Sequence, residues 1–196
     1  MKRILQEASV IGRTFLYQIL ESVTTLREQL DDCLNILEKL DLIHLHIMQP
    51  DLEYMFKHVL TQEVVYNGLL LKQRKSVHER VAQVMEQLFH DRLAEFYETL
   101  AFHYKRGHSL DKALDYLVKS GKKCIKRYAG EESHQYFREA YELLLEGQGS
   151  AKNKAKLVDV LIDWAFVYYY TGRYKDLLEL LKAHRETAES LGDKDR

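Results

Sequence analysis

The apolar residues Leu26, Leu30, Cys33, Leu34, Leu37 and Leu40 recur at intervals of three and four, which puts them on one face of a helix. Thr24-Thr25 precede this run and Glu28 lies three residues after Thr25, the spacing of a capping box, so a helix is predicted over about 25–40. The period then changes. Ile43, Leu45 and Ile47 alternate with His44, His46 and Met48, and Leu52, Tyr54 and Phe56 alternate with Glu53, Met55 and Lys57, on either side of Gln49-Pro50-Asp51. Two period-two runs around a proline turn predict a β-hairpin. Further helices are predicted over about 2–10 and 14–22. The stretch 60–89 reads as two helices joined near Gly68 to Lys72, the second with a stripe of Val77, Val81, Val84, Met85 and Leu88.

The order helix, helix, helix, hairpin is a winged-helix-like arrangement. From Leu93 onward the pattern becomes one of paired helices. Tyr97, Leu100, Ala101, Tyr104, Gly107 and Ala113 follow the positional grammar of a tetratricopeptide repeat. It recurs in Leu161, Trp164, Ala165, Tyr168, Gly172 and Tyr174, with Leu177 where a small residue is usual. A helix over about 110–129 and the segment EESHQYFREAYELLLEG, with Phe137 and Ala140 at late-repeat spacing, form an irregular middle hairpin. Gly147, Gly149 and Ser150 mark a flexible loop, and LGDKDR reads as an inter-repeat turn whose next helix is missing. The expected architecture is therefore mainly α: a winged-helix-like unit with a small hairpin and its following helices over 1–91, then tetratricopeptide-like α-α hairpins over 92–196.

Composition narrows the class. A single proline and nine glycines favour long helices, and 46% hydrophobic with 30% charged residues is the balance of a globular chain. No segment approaches the roughly 18 apolar residues of a membrane span, and Glu7 and Arg13 interrupt the start as a signal sequence, so a cytoplasmic location without membrane association is expected. Cys33 and Cys124 lie inside helical patterns without zinc-ligand spacing and fit reduced thiols. Lys and Arg number 11 against 13 Asp and Glu over 1–92, 9 against 9 over 93–150, and 9 against 8 over 151–196. No segment carries the basic excess that neutralises phosphates.

ILQEASVIGRTF, LEKLDLI, YMFKHVLTQEVVYNGLL, SVHERVAQVMEQL, LAEFYETLAFHYKRG and DKALDYLVKSGKKC, in that order, resemble the region after the ATPase core of STAND-type signalling ATPases. These include the ATPase-bearing class III adenylate and guanylate cyclases and large ATP-dependent transcription regulators. The most specific phrase runs from Phe56 and His58 through Thr61, Gln62, Glu63 and Tyr66 to His78. The resemblance implies that the winged helix packs beside an adjacent ATPase domain of a parent chain and that the repeats act as sensor, scaffold or homo-oligomerisation arm. It implies ATP for the parent only.

Catalytic and cofactor sites are not expected in this fragment. There is no GxxxxGK[ST], and Gly107, Gly121 and Gly130 stand alone. The helix that would enter a DNA groove carries Arg27 and Lys39 but also Glu28, Asp31, Asp32, Glu38 and Asp41, so DNA is disfavoured as a partner. His44 and His46, with His58 nearby, fall short of the ligands a metal site needs, whereas His58 and His78 suit a structural role that ties helices together. Two surfaces are candidates for a protein or peptide partner: the basic stripe Lys119, Lys122, Lys123 and Lys126, and Asp159, Ile162, Phe166, Tyr169 and Tyr170, which the resemblance to tetratricopeptide arrays implies because their peptide-receiving concave face is lined by the first helix of each hairpin. Successive residues of a helix point about 100° apart, so Tyr168-Tyr169-Tyr170 cannot all be buried in one core. The expected role is non-catalytic regulation and protein interaction, with the effector-sensing region of a transcription regulator, its DNA-binding domain elsewhere, as the alternative.

Overall fold

A computed structural model of the chain describes residues 1–146 and 151–191. The loop expected at Gly147, Gly149 and Ser150 lies outside the described residues, as does the expected terminal turn beyond Leu191. The fold is mainly α with one small antiparallel sheet. The chain divides into two compact units, one formed by 1–93 and 102–109, the other by 94–101 and the residues from Leu110 onward. The expected boundary at 91/92 is thus crossed again. Helix α6 (Tyr97–Arg106) belongs to the second unit through Ala101 and to the first from Phe102.

In the first unit, α1 (Lys2–Ile11), β1 (Thr14–Leu16), α2 (Tyr17–Val23), α3 (Leu30–Lys39), β2 (Ile43–Ile47) and β3 (Glu53–Phe56) follow the winged-helix-like order. The helix expected over 14–22 begins three residues late because Thr14–Leu16 pair with Glu53–Met55, making the sheet three-stranded in the order β1-β3-β2. Phe15 then packs on Phe56 (centroids 5.7 Å apart) over a core that includes Ile4, Leu20, Leu34 and Ile43. The expected capping box does not form. Thr24 Oγ1 instead accepts the Leu26 amide at 3.2 Å, and a 3₁₀ turn over Arg27–Gln29 precedes α3. The alternation of the hairpin breaks at His46, the extra residue between the Leu45–Tyr54 and Ile47–Glu53 pairs, which is a β-bulge.

Helices α4 (Val59–Asn67) and α5 (Leu71–Leu88) break where expected. Three contacts fasten them. Gln62 Nε2 donates to the Ser9 carbonyl (2.7 Å), Arg80 pairs with the buried Glu7 (3.1 Å), and the Tyr66 hydroxyl meets His78 Nε2 (3.0 Å). The motif residues Phe56, Gln62, Tyr66 and His78 are therefore structural ties. His58 is not: its imidazole is exposed, and only its carbonyl engages α4, accepting the Thr61 amide at 3.1 Å. His78 Nδ1 lies 2.9 Å from His103 Nδ1, and both rings are buried. Glu79 accepts the His108 and Ser109 amides at 2.8 and 3.1 Å, holding the turn after α6.

The second unit stacks α7 (Leu110–Lys126), α8 (Gly130–Glu146), α9 (Ala151–Tyr170) and α10 (Tyr174–Glu189), each helix packing on the next. The α7/α8 hairpin, irregular by sequence, is the most closely packed. A Cβ on Gly121 would stand 2.7 Å from the Phe137 ring, so only glycine lets the two helices come this near, and Ser133 Oγ donates to the Gly121 carbonyl at 2.9 Å. Ser120, Gly121 and Cys124 on α7 and Ser133 and Phe137 on α8 are all buried. Helix α10 has no buried residue, and Leu178 and Leu181 are exposed on it.

Candidate interaction face

Helix α9 is apolar on two sides. Leu157, Val160, Leu161, Trp164 and Val167 are buried, while Ile162, Phe166, Tyr169 and Tyr170 are exposed, Phe166 at 65% and Tyr170 at 73%. Asp159 is exposed on the same outward stripe. Spacings of three and four align all five predicted residues on one face, and a helix that is apolar all round normally has neighbours on every side. Of the three consecutive tyrosines, Tyr168 turns inward, its ring 4.6 Å from His134 and 5.1 Å from Trp164.

The orientation of α9 is fixed by a chain of hydrogen bonds. Trp164 Nε1 donates to His134 Nδ1 at 2.8 Å, so the His134 proton sits on Nε2, which faces Thr171 Oγ1 at 3.1 Å. Thr171 Oγ1 in turn donates to the Val167 carbonyl at 2.8 Å. Burial holds the His134 pKa below its ordinary value, with a repulsive contribution from Arg173. Sequence reasoning missed His134; its place on the buried side of α8 is the signal available.

Phe166 and Tyr170 share a cleft of ≈ 240 Å³ with Ile125 and Tyr128, at the C-terminal ends of α7 and α9. Tyr128 is 86% exposed and its φ of 59° lies in the left-handed region, where a bulky side chain is strained. The expected helix over 110–129 stops at Lys126 because this residue turns the chain into α8. Tyr128→Gly is expected to raise stability by about 1 kcal/mol in urea denaturation while weakening whatever occupies the cleft. A drop in stability would show that the ring contributes more by packing than it costs in strain.

The basic stripe is less available than its spacing suggests. Lys119 pairs with Asp115 (2.6 Å), Lys122 with Asp163 (2.8 Å) and Lys123 with Glu98 (2.9 Å), while Lys126 is exposed. Lys119 also lies over the Tyr116 ring at 4.9 Å. Neighbouring carboxylates thus offset the positive charge that the sequence places in one row.

On the wing, His44 and His46 have ring centroids 6.5 Å apart. Among the described residues no group of three or more His, Cys, Asp or Glu side chains could hold a metal ion, and no helix is long and apolar enough to cross a membrane. Cys33 and Cys124 are buried, unlinked thiols, and burial pushes the Cys124 thiol up. The outward residues of α3 mix Asp31 and Asp32 with the exposed Ile36, and the exposed Leu40 follows directly after the helix. Asp31 accepts the Tyr17 hydroxyl at 2.8 Å.

Comparison with known proteins leaves the class at this level. No family model matches the chain, and no solved structure matches it. An uncharacterized protein of Rhizobium meliloti (strain 1021) is 32% identical over 110 residues, 55% of this chain. The matched region spans only 10% of that relative's length.

Proposed function

We propose that this chain is a non-catalytic regulatory and protein-interaction segment of a larger signalling ATPase or cyclase, packing on an ATPase core and binding partners through tetratricopeptide-like repeats. The observation that carries the reading is the outward face of α9, where four large apolar side chains are aligned and exposed on a helix whose other face is core. In the first unit α4 is also apolar, yet none of its residues is buried and Leu60 and Val64 stand exposed one turn apart, which suits packing on an adjacent domain. The mixed acidic and apolar face of α3 favours protein over DNA as its neighbour. No nucleotide is bound by this segment itself; ATP belongs to the parent.

Two measurements test this. Calorimetric titration of the chain with ATP should give no saturable heat, and saturable binding would overturn the reading. In the parent protein, Phe166→Ser/Tyr170→Ser and Leu60→Ser/Val64→Ser should each change nucleotide turnover several-fold. Unchanged turnover in both variants, or a parent without an ATPase domain, would also count against it.

A further inference from the structure

Positive charge is concentrated at one place in the first unit. Over 1–92 acidic residues outnumber basic ones, 13 against 11. Yet a cavity of ≈ 520 Å³ between α1 and α5 is lined by Arg3, Lys72 and Arg80, with Glu7 as its only carboxylate. Lys72, Ser76 and Arg80 recur at steps of four on α5, which turns all three to the side that faces α1. Glu7 does not neutralise the cluster. Its side chain is 3% exposed, and its Oε1 accepts from both Arg3 Nε (3.3 Å) and Arg80 Nη2 (3.1 Å), so one negative charge is shared by two guanidiniums. Lys72 is exposed and has no ion-pair partner among the described residues. The lining therefore carries two positive charges in excess, and Ser76 adds a hydroxyl donor. Between the lining residues Leu69 and Lys72, the apolar Leu70 and Leu71 stand 70% and 66% exposed.

From this cluster we propose that the α1/α5 cavity receives two carboxylates from an acidic segment of a neighbouring protein domain, with apolar residues of that segment lying on Leu70 and Leu71. The proposal rests on the reading that the first unit packs on a protein neighbour, and it specifies what that neighbour presents. Arg3 reaches Glu7 only through Nε, so its two Nη groups are available to hold an incoming carboxylate in two places. From Lys72 to Arg80 is about 12 Å along α5 at 1.5 Å per residue, a distance that two acidic side chains two or three residues apart on an extended segment can cover. The exposed leucines beside Lys72 supply the apolar area that a charged pocket alone lacks. Two other anions fit less well. An anionic bilayer is flat where this site is concave, and the acidic excess of the unit would oppose its approach. Phosphates are held by runs of backbone amides at glycine-rich turns and helix N-termini, and no glycine lines this cavity.

Fluorescence anisotropy of the 196-residue chain with labelled dodecapeptides tests this. The probe carries two glutamates two residues apart, flanked on each side by two leucines. One twin carries lysine for glutamate and another carries serine. The glutamate peptide should bind saturably, more weakly as salt rises, and at least about tenfold more tightly than either twin. Lys72→Glu, at an exposed position, should lower its affinity at least about tenfold, and Leu70→Ser/Leu71→Ser should lower it several-fold, each with helix content unchanged by circular dichroism. Affinity unchanged in Lys72→Glu, or a lysine or serine twin that binds as tightly, would overturn the assignment. Displacement of the peptide by inorganic phosphate at equal concentration would overturn it in favour of a small-anion site. Sedimentation of the chain with phosphatidylserine vesicles, lost in Lys72→Glu, would overturn it in favour of a lipid contact. Absence of binding by every peptide would overturn the cavity as an acidic-segment site, and the turnover of the Leu60→Ser/Val64→Ser parent would still decide the wider reading.

Discussion

Gly121→Val is expected to destabilise the second unit by about 3 kcal/mol, with a shift of the urea midpoint that circular dichroism would record. The site leaves no room for relief. The added Cβ alone would stand 2.7 Å from the Phe137 ring, and Phe137 is fully buried, so either that ring leaves its place or α7 and α8 move apart. Moving them apart would also stretch the Ser133–Gly121 hydrogen bond. Gly121→Ala should show most of the effect, although alanine favours a helix more than glycine does. Phe137→Leu in the same chain should recover part of it by making room. A Gly121→Val midpoint within about 0.5 kcal/mol of the parent's would show that the hairpin repacks freely.

The second large effect is a loss of stability on acidification, arising in the first unit. Burial pushes the pKa of His78 down to about 4, helped by Arg106 and Arg74, and that of His103 down to about 3, helped by His78 and Arg106. Both rings are neutral in the folded chain. The unfolded chain takes up two protons as the pH falls through about 6.5, and the folded one takes them up only near the lowered values, so stability falls from about pH 6.5 downward. Between pH 7.5 and pH 5 the loss from the pair is on the order of 4 kcal/mol. His134 and His184, also held low by burial, act in the same direction. Urea denaturation at a series of pH values should therefore give a slope near pH 5.5 that His103→Gln lowers by about one proton. An unchanged slope would place the destabilisation elsewhere.

What could be read in the sequence depended on distance along the chain. The α9 face was legible because its five residues repeat at helical spacing within one element, and periodicity records which positions share a side. The lysine row was equally periodic, but its charge is offset by Glu98 and Asp163 on other helices, and a tertiary ion pair leaves no local pattern. The contact between His78 and His103 joins residues 25 apart with no motif linking them. Strand β1 is three residues long, too short for a period of two to declare itself. Gly121 looked like an isolated glycine because its meaning lies in Phe137, a ring contributed by the next helix.

Trp164, the only tryptophan in the chain, lies in the second unit, 4% exposed and bonded to His134. Its emission is therefore a built-in optical label for that unit, because the first has no indole. An unfolding curve followed by tryptophan fluorescence and one followed by backbone ellipticity weight the two units differently, so divergence between the curves would reveal separate melting without any engineered probe. The same indole sits on the helix that carries Phe166 and Tyr170, which makes its emission wavelength an intrinsic reporter of occupancy along α9.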